Sequence, residues 1–197
     1  MTRFQADSFT PERVVDRLAI QDLIHRWCSA VDRLDFEAMR DIFHPEAIDD
    51  HNRYSGDIPG LLKWIEERHR PMPFSMHMVG NMVIEFASPE LALSETYVWY
   101  IQRYPPEAKE SLIALTNGAS AKADTGMDLM GCARYIDRVE KRDGKWRILR
   151  RTAVADWKGV QPFDSDAPAP LPHWNIGRRD KQDPLYRERA AVGLPGA

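Results

Sequence analysis

Cysteine is scarce in this chain of 197 residues, which contains only Cys28 and Cys132. The two lie far apart and form no CxxC pair, so we expect a reduced, cytoplasmic protein in which each thiol is a small buried side chain. No run of eighteen apolar residues exists, so no membrane span is expected. Residues Met1 to Pro11 are polar and lack the basic-then-apolar order of a secretion signal.

The chain also lacks a large excess of charges of one sign. The sequence has 27 Lys and Arg against 30 Asp and Glu, and the formal net charge of −3 gives no electrostatic footprint for nucleic acid or an acidic membrane surface. There is no glycine-rich phosphate loop, no GxSxG and no HExxH motif, so the sequence implies no nucleotide, flavin or other cofactor. We therefore expect neither a nucleic-acid nor a membrane partner.

What the chain does have is enough apolar surface for one domain. Hydrophobic residues make up 43% of it, with six Trp, six Tyr and seven Phe. The composition changes after Trp157, where a proline-rich stretch, Pro162 to Pro172, precedes a segment with many charges of both signs. We predict a domain over residues 1–160 and a tail over 161–197, which either wraps the body or a neighbouring subunit or is partly disordered.

Periodicity predicts helices in the first part of the chain. Apolar residues recur at helical spacing from Val14 to Leu34. Asp35 is placed to cap a short helix over Phe36 to Phe43. Asp57 is placed to cap a third helix that ends near His69.

The later part of the chain has the alternation and aromatic content of strands, joined at Arg142-Asp143-Gly144 by a hairpin turn. Lys122 to Thr125 is polar and predicts a loop. The predicted strands are Ala47 to His51, Ser75 to Phe86, Leu91 to Tyr104, Leu112 to Leu115, Gly131 to Glu140 and Lys145 to Trp157. This order predicts an α+β fold, a cone-shaped α+β barrel in which the N-terminal helices pack on a curved, mostly antiparallel sheet. The open end of such a cone is a natural ligand pocket.

Several short segments, in this order, resemble the SnoaL-like branch of the nuclear transport factor two-like superfamily between Val14 and Trp157. They are Ala19 to Leu23, Ala30 to Asp32, Tyr54 to Gly56 with Pro59-Gly60, Met76-His77 with Asn81, Glu140 to Trp146, and Arg151. That superfamily includes lindane dehydrochlorinase, scytalone dehydratase and bile-acid 7α-dehydratase. The same cone also hosts isomerases, cyclases and non-catalytic binders, so the resemblance alone does not name a reaction.

The resemblance implies a site as well as a fold. Lyases of this superfamily use an Asp–His pair inside the cone, and some add an arginine from the last strand; the matching positions are Asp32, His77 and Arg151. The bile-acid enzyme has a tyrosine one turn before its aspartate, where this chain has Trp27, so a phenolic proton donor is missing there. The resemblance also implies a homo-oligomer, a trimer or a dimer.

The residues themselves support these roles and leave alternatives open. His77 can act as base or acid, the role in which histidine is used most often, unless it is simply a buried, satisfied histidine. Asp32 lies at the edge of the apolar stripe of the first helix, where a carboxylate needs a partner, or else it is a solvated helix-end acid. Arg151 shares strand parity with Leu149, which would turn it inward to support a leaving group, or it is a surface arginine.

Further candidates surround this pair. Strand alternation turns either Asp50 or its neighbours Asp49 and His51 inward, and we expect Asp50 to be a polar contact of the substrate. Consecutive strand residues diverge, which argues against a metal site here. Tyr54 could donate a proton, although a turn tyrosine with a satisfied hydroxyl is favoured. Predicted apolar lining residues are Trp27, Tyr97 and Trp99.

These features predict a cofactor-independent lyase acting on a hydrophobic aromatic or polycyclic small molecule. His77 would remove a proton, and water, halide or a small aldehyde such as formaldehyde would leave. A non-catalytic binding or assembly module is the first alternative, and an isomerase or cyclase using the same pair is the second.

Overall fold

The computed structural model describes residues 9–118, 126–163, 170–171 and 173–195. Among them the helices are α1 (Pro11–Arg33), α2 (Phe36–Asp41), α3 (Ile58–His69), α4 (Lys109–Thr116) and α5 (Pro184–Ala191). The strands are β1 (Phe43–Asp50), β2 (Ser55–Asp57), β3 (Phe74–Phe86), β4 (Leu91–Tyr104), β5 (Met127–Arg142) and β6 (Lys145–Pro162). None of the helices in these ranges is long and apolar enough to cross a membrane.

The first three helices begin at the residues that side-chain chemistry selects. Thr10 accepts a hydrogen bond from the backbone N–H of Arg13 at the start of α1. Asp35 and Asp57 accept from the third residue of α2 and α3, as the sequence predicts. Each cap satisfies one backbone donor that the helix itself leaves unpaired, and this fixes the residue at which the helix begins.

The six strands form one curved sheet in the order β2-β1-β6-β5-β4-β3. Strand β1 runs parallel to β6, and the other neighbours are antiparallel. The β5–β6 hairpin turns at Asp143 and Gly144, which both have positive φ, as the Asp-Gly pair predicts. The predicted α+β architecture is therefore confirmed, with β2 and β3 at the two open edges of the sheet.

The main core lies between α1 to α3 and the inner face of the sheet. Helix α1 contributes the apolar side of its helical repeat, with Ile20, Ile24, Trp27 and Val31 all buried. A smaller core cluster at the other end of the sheet lies under α4 and includes Tyr104 and Leu129. The space between these two clusters is where the candidate site lies.

One predicted strand is wrong, because residues Leu112 to Leu115 belong to α4. An apolar run of four residues has no period of its own and fits a buried helix turn as well as a strand. Here a 3₁₀ turn over Pro106–Ala108 starts the helix, and only one face, at Leu112, is buried. The predicted loop at Lys122 to Thr125 lies outside the described residues, as does most of Pro162 to Pro172.

The described part of the C-terminal tail lies against the end of α1. Arg33 pairs with Asp183, with Nε and Oδ1 3.2 Å apart. Asp35 accepts hydrogen bonds from Lys181 and from the hydroxyl of Tyr186. These contacts favour the expectation that this segment wraps the body of its own chain. Strand β6 runs to Pro162, and the division into a domain and a tail stays a prediction.

Candidate active site

Asp32 and His77 form a close pair where the end of α1 meets the start of β3. Oδ1 of Asp32 lies 2.6 Å from Nδ1 of His77, and the backbone N–H of His77 donates to Oδ2 at 2.9 Å. Ser75 adds a hydroxyl hydrogen bond to Oδ1 at 3.2 Å. One carboxylate thus holds both the ring and the backbone of His77. With Nδ1 donating to Asp32, Nε2 is left as the nitrogen that can accept a proton from a ligand.

His77 faces a cavity of about 470 Å³ under the curved sheet. The side chains of His77 and Asp32 are only 9% and 13% exposed, so the pair is shielded from bulk water. Tyr100, directly across from His77 on β4, packs against it with ring centroids 5.9 Å apart. Other lining residues include His51, Asn52, Arg53, Trp64, Arg68, Gln102, Asn117, Leu129, Tyr135, Ala153 and Lys158. A cavity of this size accommodates a small organic ligand.

A second Asp–His pair contributes to the same cavity. Asp49 is fully buried, and its Oδ1 contacts Nδ1 of His51. The ring of His51 lines the cavity between Trp64 and Tyr135, each with its centroid 6.1 Å away. Two imidazoles, each backed by a carboxylate, therefore face one space.

The prediction for Asp50 is wrong, because its neighbours face inward instead. Asp50 accepts a hydrogen bond from the backbone N–H of Asn52 and does not line the cavity. On β1 the inward side is that of Ala47 and Asp49, both fully buried. Alternation alone offered both faces, and the small apolar side chain of Ala47, two residues before Asp49, was the signal that distinguishes them.

Arg151 points inward as predicted but does not line the cavity, so its position does not support the predicted role at the leaving group. Its Nε and Nη2 donate to Asp137 at 2.7 and 2.8 Å, and both side chains are fully buried. The guanidinium also lies 4.1 Å from the ring centroid of Tyr135. Burial alone would lower the pKa of Arg151, but the ion pair with Asp137 reverses this, so the group stays charged.

The reason why Arg151 faces inward differs from the predicted one. Strand pairing skips a residue between Ile148 and Arg150, opposite Arg138 and Val139, so Leu149 is the extra residue of a β-bulge. Past the bulge the faces exchange. Arg151 therefore shares the inner face with Ile148, not with Leu149.

Two predicted lining residues, Tyr97 and Trp99, lie on the outer face of the sheet and are 48% and 38% exposed. Trp99 stacks there on Trp157, with ring centroids 6.2 Å apart. The prediction is wrong because β4 turns its even-numbered residues, such as Tyr100 and Gln102, toward the cavity. An aromatic strand with bulky residues on both faces does not reveal which face is inside.

The remaining predicted contacts also lie outside the cavity lining. Trp27 is buried in the core, edge-on to Phe43 with ring centroids 5.4 Å apart. The hydroxyl of Tyr54 donates to the backbone carbonyl of Asp57 at 2.6 Å, which is the satisfied turn tyrosine that the sequence favours. Trp27 packs against His51 and Tyr54 stacks on Trp64, so both side chains contact lining residues without being part of the lining.

Tyr100 and Tyr135 are cavity residues that the sequence-based reasoning missed. Burial raises the pKa of both phenols, so each stays protonated and can donate a hydrogen bond. Tyr100 lies over Gly131 of β5, where a Cβ atom would come within 2.4 Å of its ring. A glycine inside a strand, opposite an aromatic residue, was the signal for this close approach.

In the ranges that the structure covers, no group of three His, Cys, Asp or Glu side chains is arranged to hold a metal ion. His44, next to the acidic residues of β1 in sequence, turns its Nε2 toward the backbone carbonyl of Glu140 at 3.1 Å. His44 therefore does not join Asp49 and His51.

Comparison with known proteins agrees with this fold. A model of the SnoaL-like domain matches residues 12–152. An uncharacterized protein of Mycobacterium tuberculosis (strain ATCC 25618 / H37Rv), Rv2910c, is 30% identical over 141 residues, which are 70% of this chain and 84% of that protein.

Solved structures with low sequence identity share the same architecture. The hexachlorocyclohexane dehydrochlorinase LinA Type2 superposes with a TM-score of 0.62 at 19% identity, over 82% of this chain and 97% of that one. A protein of Novosphingobium aromaticivorans DSM 12444, proposed to be a scytalone dehydratase, superposes with a TM-score of 0.61 at 19% identity, over 84% and 99% of the two chains. At this identity the likeness is one of fold.

Proposed function

Because the chain belongs to the SnoaL-like domain family, we propose that it is a cofactor-independent lyase acting on a hydrophobic aromatic or polycyclic small molecule. The observation that carries this proposal is the Asp32–His77 pair, which leaves Nε2 of His77 free to face a cavity that Trp64, Tyr100 and Tyr135 also line. The names of the two structural neighbours, a dehydrochlorinase and a proposed dehydratase, support an elimination.

In the proposed elimination, Nε2 of His77 removes a proton from a substrate carbon. The C–H electron pair forms the new double bond. Halide leaves the neighbouring carbon with its bonding pair, or a hydroxyl leaves with its bonding pair and takes up a proton to become water. Asp32 stabilises the imidazolium that forms and keeps the ring in position. Positioned proton transfer contributes roughly 10²–10⁴-fold to the rate, and the shape of the cavity must supply the rest.

Release of a small aldehyde such as formaldehyde would use the same base. His77 then takes the proton of a substrate hydroxyl, the O–H pair forms the carbonyl, and the adjacent carbon–carbon bond breaks. Its electron pair stays on the remaining substrate, where it either accepts a proton or expels a neighbouring group.

We propose that His51, and not Arg151, assists the departure of the leaving group. A protonated His51 would donate its proton to a departing oxygen and return to the neutral form. Asp49 holds His51 as Asp32 holds His77. Tyr100 and Tyr135 add neutral hydroxyls in the same cavity.

The proposal is tested by incubating the full chain with aromatic and polycyclic alcohols and halides and screening by mass spectrometry for loss of water, hydrogen halide or formaldehyde. His77→Ala and Asp32→Asn should each lower turnover by roughly 10²-fold or more while the fold survives in circular dichroism. His25→Ala, at an exposed position of α1, is the matched control and should leave turnover unchanged.

Other outcomes of the same screen identify the alternatives. A product of unchanged mass would indicate an isomerase or cyclase. A ligand that is bound but recovered unaltered, with equal affinity for the His77→Ala variant, would indicate a binding module. Near-wild-type turnover by either variant of the pair would refute the assignment of His77 as the base.

The expected cytoplasmic location and the expected dimer or trimer stay proposals. The exposed aromatic residues of the outer sheet face, Tyr97, Trp99 and Trp157, support self-association, because exposed apolar patches often mark interfaces.

A further inference from the structure

The charged residues that line the cavity are all cations. They are Arg53, Arg68 and Lys158, and no Asp or Glu side chain of the described residues is part of the lining. The two nearby carboxylates, Asp32 and Asp49, lie behind the imidazoles that they hold. A ligand in this cavity therefore meets positive charge directly and negative charge only through His77 and His51.

Arg68, in the last turn of α3, is the most buried of these three cations. Nη1 donates to the hydroxyl of Tyr104 at 3.3 Å, and Nη2 contacts the ring of His69. Its Nε is buried and has no hydrogen-bond partner among the described residues. Nη1 and Nη2 each use one N–H in the contacts above, and each carries a second N–H for which the described residues provide no partner.

In two other arginines of this chain, an aspartate carboxylate neutralises the guanidinium. Arg151 and Arg103 each donate two hydrogen bonds to one aspartate. Arg68 forms no such ion pair with a carboxylate of the described chain, although it is half-buried and stacks on Trp64 at 4.5 Å. A half-buried guanidinium without a counter-charge destabilises the fold unless a bound ligand supplies that charge.

The buried histidine that follows Arg68 does not offset its positive charge. His69 is fully buried, and burial together with Arg68 and Arg179 holds its pKa well below the ordinary value. It therefore stays neutral and brings no compensating charge. Arg53 and Lys158 donate hydrogen bonds only to neutral oxygens, those of Asn117 and of the backbone carbonyl of Leu115.

We propose that the substrate of this site is an aromatic molecule bearing an acidic oxygen, a carboxylate or a phenol, and that Arg68 binds this oxygen. The inference rests on the proposed function, since it names the substrate class of the same cavity. Trp64, Tyr100 and Tyr135 offer ring faces for the aromatic part. The second N–H groups of Nη1 and Nη2 of Arg68 match the lone pairs of a carboxylate or phenolate oxygen.

The test is a binding measurement that does not depend on turnover. Isothermal titration calorimetry with the full chain compares three probes of one shape: 2-naphthoate, 2-naphthol and the neutral 2-naphthamide. We expect naphthoate, naphthol or both to bind roughly tenfold or more tightly than naphthamide, the range expected for a charge-assisted hydrogen bond. A preference for naphthoate alone identifies the carboxylate, and a preference for naphthol identifies the phenol.

Variants assign the effect to Arg68. Arg68→Gln should remove the preference for the acidic probe and change naphthamide binding less than about twofold. Arg68→Lys, which keeps the charge, should retain part of the preference and serves if the glutamine variant does not fold. Arg70→Gln, two residues further along at an exposed position, is the matched control and should bind all three probes as the wild type does.

Two results would overturn the inference: neither naphthoate nor naphthol binds wild-type protein more tightly than naphthamide, or the preference for an acidic probe survives in Arg68→Gln. The proposed lyase function fails on a different result, namely unchanged turnover in His77→Ala. That variant should still prefer the acidic probe, so the two failures are distinguishable.

Discussion

The guanidinium of Arg179 donates a hydrogen bond from Nε to the backbone carbonyl of Asp32 at 2.9 Å, and so ties the C-terminal segment to the residue that holds His77. Its other nitrogens donate to the backbone carbonyls of Val31, His69 and Met72 at 3.1 to 3.2 Å. These carbonyls lie at or just beyond the ends of α1 and α3, where helices leave acceptors unpaired. Burial lowers the pKa of Arg179 to about 10, so it stays charged at neutral pH.

Arg179→Gln should therefore lower the free energy of unfolding by about 3 kcal/mol, because several carbonyls of the two helix ends lose a charged donor. Urea denaturation measures this. Arg178→Gln removes the same charge one residue earlier, at an exposed position paired with Asp180, and should change stability by less than about 0.5 kcal/mol. Equal effects of the two variants would show that the Arg179 contacts do not hold the helix ends.

The buried ion pair of Arg151 and Asp137 makes a separate prediction. Asp137→Leu leaves a guanidinium unpaired in the core and should cost about 3–5 kcal/mol. The double variant Asp137→Leu/Arg151→Met removes both charges and should recover most of that loss. Since neither side chain lines the cavity, the folded double variant should keep turnover within about threefold of wild type. A folded double variant without turnover would restore Arg151 to a role in the reaction.

Local chemistry made much of the fold predictable. The caps Asp35 and Asp57 act on backbone groups three residues away, and the Asp143-Gly144 turn needs only its own backbone preferences. Strand β4 was predicted with its observed bounds, because alternation and two following prolines define both ends. The Asp32–His77 pair came from the resemblance, since nothing local connects two residues on separate elements.

The wrong predictions for strand residues of the site concern which face of the strand is inside. Asp50, Tyr97 and Trp99 were given the inner face, and in each case a neighbour one residue away holds it. Side chains alternate between the two faces of a strand, so the sequence does not show which face is inside until the pairing register of the sheet is known. The bulge at Leu149 exchanges them again, and it depends on pairing with β5. Arg68 was missed because its lack of a counter-ion appears only once α3 is packed.

His69 gives a prediction for the dependence of stability on pH. Its folded-state pKa lies well below the ordinary value, first because of burial and then because of Arg68 and Arg179. As pH falls below about 6.5, the unfolded chain binds a proton at this histidine and the folded chain does not. The free energy of unfolding should therefore decrease with falling pH, by up to about 1.4 kcal/mol per unit from this residue.

Urea titrations at pH 7.5, 6.5 and 5.5 measure this dependence. His69→Gln keeps an acceptor for Arg179 but does not titrate, so its stability should fall less steeply over the same range. His25→Gln, at an exposed position of α1, should retain the wild-type slope. A His69→Gln variant with the wild-type slope would place the titrating group elsewhere.

Neighbouring aspartates on β1 provide the sharpest test of the second pair. Asp49→Asn should lower kcat roughly tenfold or more, because the amide cannot stabilise a protonated His51, and His51→Gln should lower it by roughly 10²-fold. Asp50→Asn changes the same charge one residue away, outside the cavity, and should keep kcat within about twofold of wild type. The measurement is turnover of a substrate found by the mass-spectrometric screen, with circular dichroism to establish folding. If Asp50→Asn lost as much activity as Asp49→Asn, the loss would result from removing any negative charge from β1. It would then give no support to a role of Asp49 in holding His51.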